Sequence, residues 1–237
     1  MKFHYGMKDF TKFEEIIGIN FRDKNLLKQA FTHRSYLNEH KESEIVHNER
    51  LEFLGDAVLE LIVTEYLYTK YPDETEGSLT SYRAALVNAE TMSKAASRIN
   101  MNDFLLLSKG ESKDTGRARQ IILANTIEAL IGALFLDQGY EIAKYFISKN
   151  IFYLIDDIVS ANTWMDAKSN FQEASQENES ITPLYKTISE DGPDHDKDFT
   201  VGVYLDDELI ASGVGKSKQE AEQIAAKLAL EKMGWDK

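Results

Sequence analysis

The 237-residue chain contains no cysteine. That excludes disulfides, thiolate nucleophiles and cysteine-ligated zinc. Proline is scarce, at three residues. No apolar run approaches the ~18 residues of a membrane span. The longest, Ala129 to Leu136, has eight residues and is interrupted by Gly132. The opening residues Met1 to Gly6 lack the apolar stretch of a signal peptide. These absences predict an intracellular, cytoplasmic protein with no membrane partner. Basic residues are also in short supply, 27 against 40 acidic, for a net charge of −13. Taken alone, that balance argues against a nucleic-acid partner, because such proteins usually carry a basic surface. The remaining composition, 43% hydrophobic and 28% charged, is that of a folded globular chain.

Residues 9 to about 158 show apolar positions at three- and four-residue spacing, with Pro72 as the only proline, and predict helices. Turn residues fall at Tyr71-Pro72-Asp73 and between Lys109 and Gly116. The polar stretch Asp156 to Thr163 predicts a linker. Beyond it the pattern changes. Asp166 to Gln176 suits a helix, and Leu184–Ser189, Phe199–Leu205 and Leu209–Val214 suit strands. Phe199, Val201, Val203 and Leu205 alternate with the period of a half-buried strand. Asp206-Asp207-Glu208 is the expected hairpin turn. Ser217 and Glu220 have the spacing of a capping box before a last helix. Ala221, Ile224, Ala225 and Leu228 form its expected apolar stripe.

Two helical segments carry acids whose placement asks for an explanation. In His47–Val58, at ~100° per residue, Glu49, Glu52, Asp56 and Glu60 share one arc, with Leu51, Leu54, Val58 and Leu61 opposite. A solvated polar face is the ordinary account of such an arc. Here, however, Glu52/Asp56 and Asp56/Glu60 are like charges at i,i+4, which repel, and the face offers no basic partner. A divalent cation among them would relieve the repulsion. The second segment, Ile121 to Leu136, is apolar nearly all round and predicts a buried helix. Asn125 and Glu128 lie one turn apart on it, and Gly132 follows on the same face, leaving space. A buried glutamate must be protonated, paired or metal-bound. Arg50 and Arg83 are candidate partners if it is paired. If both helices meet, Glu52, Asp56, Asn125 and Glu128 offer only oxygen ligands, which favours Mg²⁺ or Mn²⁺ over zinc. Such a site suits phosphodiester hydrolysis, because the ion improves a bound water as nucleophile and stabilises the attacking and leaving oxygens.

The run Asn48-Glu49-Arg50-Leu51-Glu52-Phe53-Leu54-Gly55-Asp56 resembles the signature of bacterial ribonuclease III. Further similarities are Phe31-Thr32-His33-Arg34-Ser35-Tyr36, Glu76-Gly77 with Arg83-Ala84, Lys109-Gly110-Glu111, and Glu128 to Gly132. The tail resembles a double-stranded RNA-binding domain at Gly192-Pro193-Asp194-His195 and from Gly213 through Lys218 into Ala225-Ala226. The resemblance implies an all-α nuclease domain, residues 8–140, then a trailing helix and linker, 141–163. A small α+β domain of α-β-β-β-α order, 164–235, would follow and bind duplex RNA. It implies metal ligands at Glu52, Asp56, Asn125 and Glu128, and catalytic acids at Asp56, Glu128 and Glu49. Mg²⁺ would be the cofactor, with no small-molecule cofactor. The implied assembly is a homodimer, and the implied products are duplex ends with 5′-phosphate, 3′-hydroxyl and a two-nucleotide 3′ overhang. Independently, a C2 dimer would set one site on each antiparallel strand of a duplex.

Three positions of the nuclease segment depart from the family pattern. Asn125 stands where an Asp is usual, which predicts weaker metal binding or a preference for Mn²⁺. Ala57 replaces a common Ser without expected effect. Ser78 stands where an acid often follows Glu76-Gly77. A site decayed at Asn125, leaving a non-catalytic duplex binder, is the rival reading, and intact Glu49, Glu52, Asp56 and Glu128 count against it.

By segment, residues 1–160 carry 19 basic and 24 acidic residues, and residues 161–237 carry 8 and 16. The tail's Lys216 and Lys218 precede and open its last helix, where the helix dipole also favours phosphate. Gln172 and Glu173 offer 2′-hydroxyl contacts, and His195 offers a second minor-groove contact. This is recognition of shape over about 16 base pairs. Gln219 replaces a frequent second lysine. Weak binding with a shallow salt dependence is therefore expected, because few phosphates are neutralised. His33 and His47 are expected to be structural. Lys109, Arg117 and Arg119 suit either phosphate contact or ordinary surface charge. Asn178-Glu179-Ser180 matches a glycosylation sequon that an intracellular chain would not use.

Overall fold

The computed structural model describes residues 8–41, 45–160, 167–193 and 197–235. The chain divides into two compact units, Met1–Trp164 and Met165–Lys237.

The first unit is helical. Its helices are α1 (Phe10–Ile17), α2 (Lys24–Ala30), α3 (Arg34–Glu39), α4 (Glu49–Lys70), α5 (Glu76–Val87), α6 (Ala89–Arg98), α7 (Arg117–Gln138), α8 (Tyr140–Asn150) and α9 (Leu154–Ser160). Local chemistry sets several boundaries. Asp9 and Asp23 cap α1 and α2 by accepting from Thr11 N and Asn25 N. Gly18, at φ +73°, closes α1 in the left-handed region. α4 ends just before Pro72, which cannot continue the hydrogen-bond ladder.

α7 is apolar and 22 residues long, enough by length and composition to cross a membrane. Its apolarity is accounted for by burial. α7 packs on α4, α6, α8 and α2, and Ile127, Ala129, Leu130, Ile131, Ala133 and Leu134 have no exposed surface. The core also takes in Ala143, Phe146, Ile147, Ile151 and Ile155. Thus α8 and α9 belong to the helical unit, and the chain is still helical at Asp156, where the sequence pattern suggested a linker. Asp156 pairs with Lys70 there, Nζ to Oδ1 2.5 Å.

α4 is less one-sided than its sequence suggested. Leu51, Val58, Leu59, Ile62, Val63 and Leu67 are buried, whereas Leu61 is 59% exposed. Phe53 is 82% and Tyr68 74% exposed. With Leu61 they form an apolar strip over four turns of the outward face.

The second unit has α10 (Ala167–Asn178), strands β1 (Leu184–Asp191), β2 (Asp198–Leu205) and β3 (Glu208–Gly215), and α11 (Lys218–Met233). The sheet is antiparallel in the order β1-β2-β3. Asp206 takes φ +51° in the tight turn before β3. The core is built on Phe171, Val203, Leu205 and Ile210 with Ala225, Ala226, Ala229 and Leu230. The expected stripe on α11 needs correcting, since Ile224 and Leu228 are 37% and 42% exposed. The cause is close approach. A Cβ at Gly213 would stand 2.4 Å from Ala221 O and Ala225 N, so α11 lies almost on the strand backbone. Only small residues fit beneath, and the alanines take the inner face.

Candidate active site and RNA-contact surface

The most extensive helix contact in the first unit is between α4 and α7. A pair of glycines allows it. A Cβ on Gly55 would fall 1.8 Å from Glu128 O, and one on Gly132 would fall 2.2 Å from Leu51 O. The backbones therefore touch at the crossing. Beside it α4 carries Glu52, one turn before Gly55, and Asp56, the next residue, while α7 carries Glu128 and Asn125, one and two turns before Gly132. The sequence suggested the space left by Gly132. That Gly55 meets it was missed, although glycine within an otherwise strong helix is a signal of close approach.

Glu128 is largely buried in this crossing. Burial, then the charges of Asp56 and Glu52, push its carboxyl up to about 7. Among the described residues, no basic group offsets that rise. Arg83 donates instead to Thr64 Oγ1 at 3.0 Å, and Arg50 is exposed. Glu52 is raised as well, first by burial and then by Glu49 and Asp56, and is partly relieved by a hydrogen bond from the Asn125 side chain. Glu52, Asp56, Asn125 and Glu128 thus act on one another across the two helices. Among the described residues, no three His, Asp or Glu side chains close tightly enough to grip an ion as they stand.

Glu49, at the start of α4, is less isolated than expected. Arg34 Nη1 lies 3.8 Å and His47 Nδ1 3.7 Å from its carboxylate. So the acidic arc does have basic neighbours, brought by α3 and the preceding loop. A cavity of about 610 Å³ lined by His33, Arg34, Glu111 and Ile121 adjoins this pair. A larger one, about 1510 Å³, lies among α1, α2 and residues 102–112 and includes none of the acids of the α4–α7 crossing. His33 is structural. Its Nδ1 accepts from Ser35 N at 3.3 Å to cap α3, and burial lowers its pKa. Arg119 is committed to the fold through Asn102 Oδ1, 2.7 Å, and Glu111 O, 2.6 Å.

In the second unit Gln172 and Glu173 are exposed on α10. Lys216 and Lys218 flank the N-cap of α11, where Ser217 Oγ accepts from Glu220 N and Glu220 Oε2 accepts from Lys216 N. Each lysine is ion-paired, Lys216 to Asp198 at 2.9 Å and Lys218 to Glu190 at 2.7 Å. His195 lies outside the described residues.

Residues 23–155 match the family described as Ribonuclease-III-like, and residues 167–233 match the double-stranded RNA binding motif. The chain belongs to the ribonuclease III family. Ribonuclease 3 of Enterococcus faecalis is 48% identical over 220 residues, 93% of this chain and 95% of that one. Ribonuclease 3 of Bacillus licheniformis is 45% identical over 231 residues, 98% and 92% of the two chains. Among solved structures, the nuclease domain of ribonuclease III from Campylobacter jejuni is similar at 43% identity and TM-score 0.54, covering 60% of this chain and 98% of that one. That structure is described for flexibility in the region involved in dimer formation. The family implies a divalent metal cation. The fold expected from sequence, a helical nuclease domain and then an α-β-β-β-α RNA-binding domain, is the fold observed.

Proposed function

We propose that this protein is an endoribonuclease specific for double-stranded RNA, with Glu52, Asp56, Asn125 and Glu128 holding a divalent cation. The observation that carries this reading is Glu128, largely withdrawn from water at the α4–α7 crossing, where its charged neighbours among the described residues are the carboxylates of Asp56 and Glu52. The donors are all oxygen, which suits Mg²⁺, with Mn²⁺ able to replace it. When bound, the cation supplies a water of lowered pKa and a counter-charge for the phosphate oxygens. The chain's own part is to present the donors from two helices whose backbones touch at Gly55 and Gly132. Glu49, whose charge acts on Glu52, borders the site as a third catalytic acid beside Asp56 and Glu128.

The nuclease domain is assigned to residues 8–140, followed by a trailing segment and linker over 141–163, whose α8 and α9 pack into the same core, and the RNA-binding domain to 164–235. Gln172, Glu173, His195, Lys216 and Lys218 contact the duplex, by shape and phosphate rather than base sequence. Phe53, Leu61 and Tyr68, large apolar side chains exposed on one side of α4, support a homodimer, since such side chains gathered on one face mark interaction surfaces. Two-fold symmetry then offers one site to each strand. The natural place for this activity is the cytoplasm, on structured transcripts such as ribosomal RNA precursors.

Long duplex RNA incubated with the protein in Mg²⁺, and separately in Mn²⁺, is the direct test. Short duplexes with 5′-phosphate and 3′-hydroxyl ends are the expected products. Tight binding without cleavage in either metal would overturn the catalytic reading and leave a duplex-binding protein, with Asn125 as the reason.

A further inference from the structure

The strand register of the second unit does something that its charge total hides. Glu190 on β1 lies across from Phe199 on β2, and Phe199 lies across from Gly215 on β3. Three residues beyond Gly215 stands Lys218. Its Nζ reaches back along this row, passes 5.6 Å from the Phe199 ring centre and ends 2.7 Å from Glu190 Oε1. At the next position the row repeats. Asp191 is paired with Asp198, and Asp198 Oδ1 lies 2.9 Å from Lys216 Nζ. Lys197 adds a longer contact to Glu190 at 3.6 Å. The Lys218 ammonium holds the Glu190 carboxyl below the usual range. The two lysines best placed to meet phosphates at the head of α11 are therefore each faced by a carboxylate of their own chain.

We propose that Glu190 and Asp198 are internal stand-ins for RNA phosphates, which keep Lys218 and Lys216 neutralised until a duplex displaces them. Their chemistry is that of the ligand, an anionic oxygen at ion-pair distance. All four side chains remain 36% to 59% exposed, so a phosphate can reach the ammonium groups. Pairs this exposed are weak, so they tune the grip on RNA rather than block it. Because binding exchanges one ion pair for another, fewer counterions are released per phosphate contacted. The salt dependence is accordingly shallow. The inference rests on the reading of Lys216 and Lys218 as RNA contacts.

The test measures equilibrium binding of the full-length protein to duplex RNA, in EDTA so that nothing is cut, across roughly 50–200 mM salt. The variant Glu190→Gln/Asp198→Asn should bind about tenfold more tightly at the low end. Its plot of log K against log salt should steepen by about 0.9 for each lysine released. Asp207→Asn/Glu208→Gln, which likewise removes two acids, at the β2–β3 turn, is the control for net charge. An unchanged affinity and slope in the double variant, or an equal gain in the control, overturns the proposal. The single variants Glu190→Gln and Asp198→Asn provide the same readout should the double variant fold poorly. Lys216→Ala/Lys218→Ala separates the stand-in role from the RNA contact it presupposes. If it weakens binding while the acid variants change nothing, the stand-in idea alone falls. If it leaves binding intact in both backgrounds, the assignment of these lysines to RNA falls too.

Discussion

The helical unit withdraws two glutamates from water and treats them in opposite ways. Glu14 on α1 is 2% exposed. Its carboxylate accepts from Phe21 N at 2.6 Å and from Lys24 Nζ at 2.6 and 2.8 Å. Every demand of that charge is met inside the chain, and its work is to tie α1 to the start of α2. Glu128 on α7 has no such partner among the described residues, and its electrostatic neighbours are Asp56 and Glu52. Acids withdrawn from water among like charges cluster at functional sites. Burial alone does not mark a functional acid. The sign of its neighbours does.

Exchanging the two acids for their amides should expose the difference. Glu128→Gln should cut the rate of duplex cleavage by roughly 10³-fold or more, about 4 kcal/mol of transition-state stabilisation. Binding to uncut duplex should change little, and loss of both together would deny Glu128 its catalytic place. Glu14→Gln should act in reverse. Activity per folded molecule should persist, and urea unfolding should show a loss of roughly 1–3 kcal/mol as Lys24 and Phe21 N lose their shared acceptor.

The glycine crossing supplies the next test. Gly55→Ala forces a methyl into the Glu128 carbonyl and should cost roughly 3 kcal/mol or more by chemical denaturation, with activity falling alongside. Full stability in the Gly55→Ala variant would contradict the contact.

The same comparison has a pH signature. Glu128 titrates higher in the folded chain than in the unfolded one, so the folded state binds the extra proton between about 4.5 and 7. Stability of the metal-free protein therefore falls as pH rises through that window. Thermal melts in EDTA should show this decline. They should also show Glu128→Gln more stable than the parent at pH 8, by roughly 1–3 kcal/mol, with little difference near pH 4. A parent whose stability is flat across the window would place Glu128 in a wetter setting. The smallest effect concerns Asn125. Asn125→Asp should lower the Mg²⁺ concentration for half-maximal cleavage by about tenfold, read from a metal titration, because it adds a charge where the parent has a neutral oxygen.

Much of this was legible before the structure. The mutual repulsion of Glu52 and Asp56, and the single acid in the apolar run around Glu128, both follow from helical spacing. The faces proved harder. Leu61 and Phe53 lie on the open side of α4, and periodicity counts apolar residues without saying which of two apolar sectors the core takes. Ile224 and Leu228 turned outward because Gly213 brings α11 too close for large side chains. Contacts between distant segments, such as Arg34 with Glu49 or Lys218 with Glu190, depend on strand register and loop path. No local pattern encodes them.

The touching backbones of α4 and α7 carry one more consequence. The separation of the two helices beside the donors is set by main chain against main chain, with no compressible side-chain layer between. A larger or smaller ion is then met chiefly by adjustment of the donor side chains, because a shift of the helices would disturb that backbone contact. Cation size should therefore be read out sharply by catalysis, and drift elsewhere in the interior should wear down durability long before it blurs that choice.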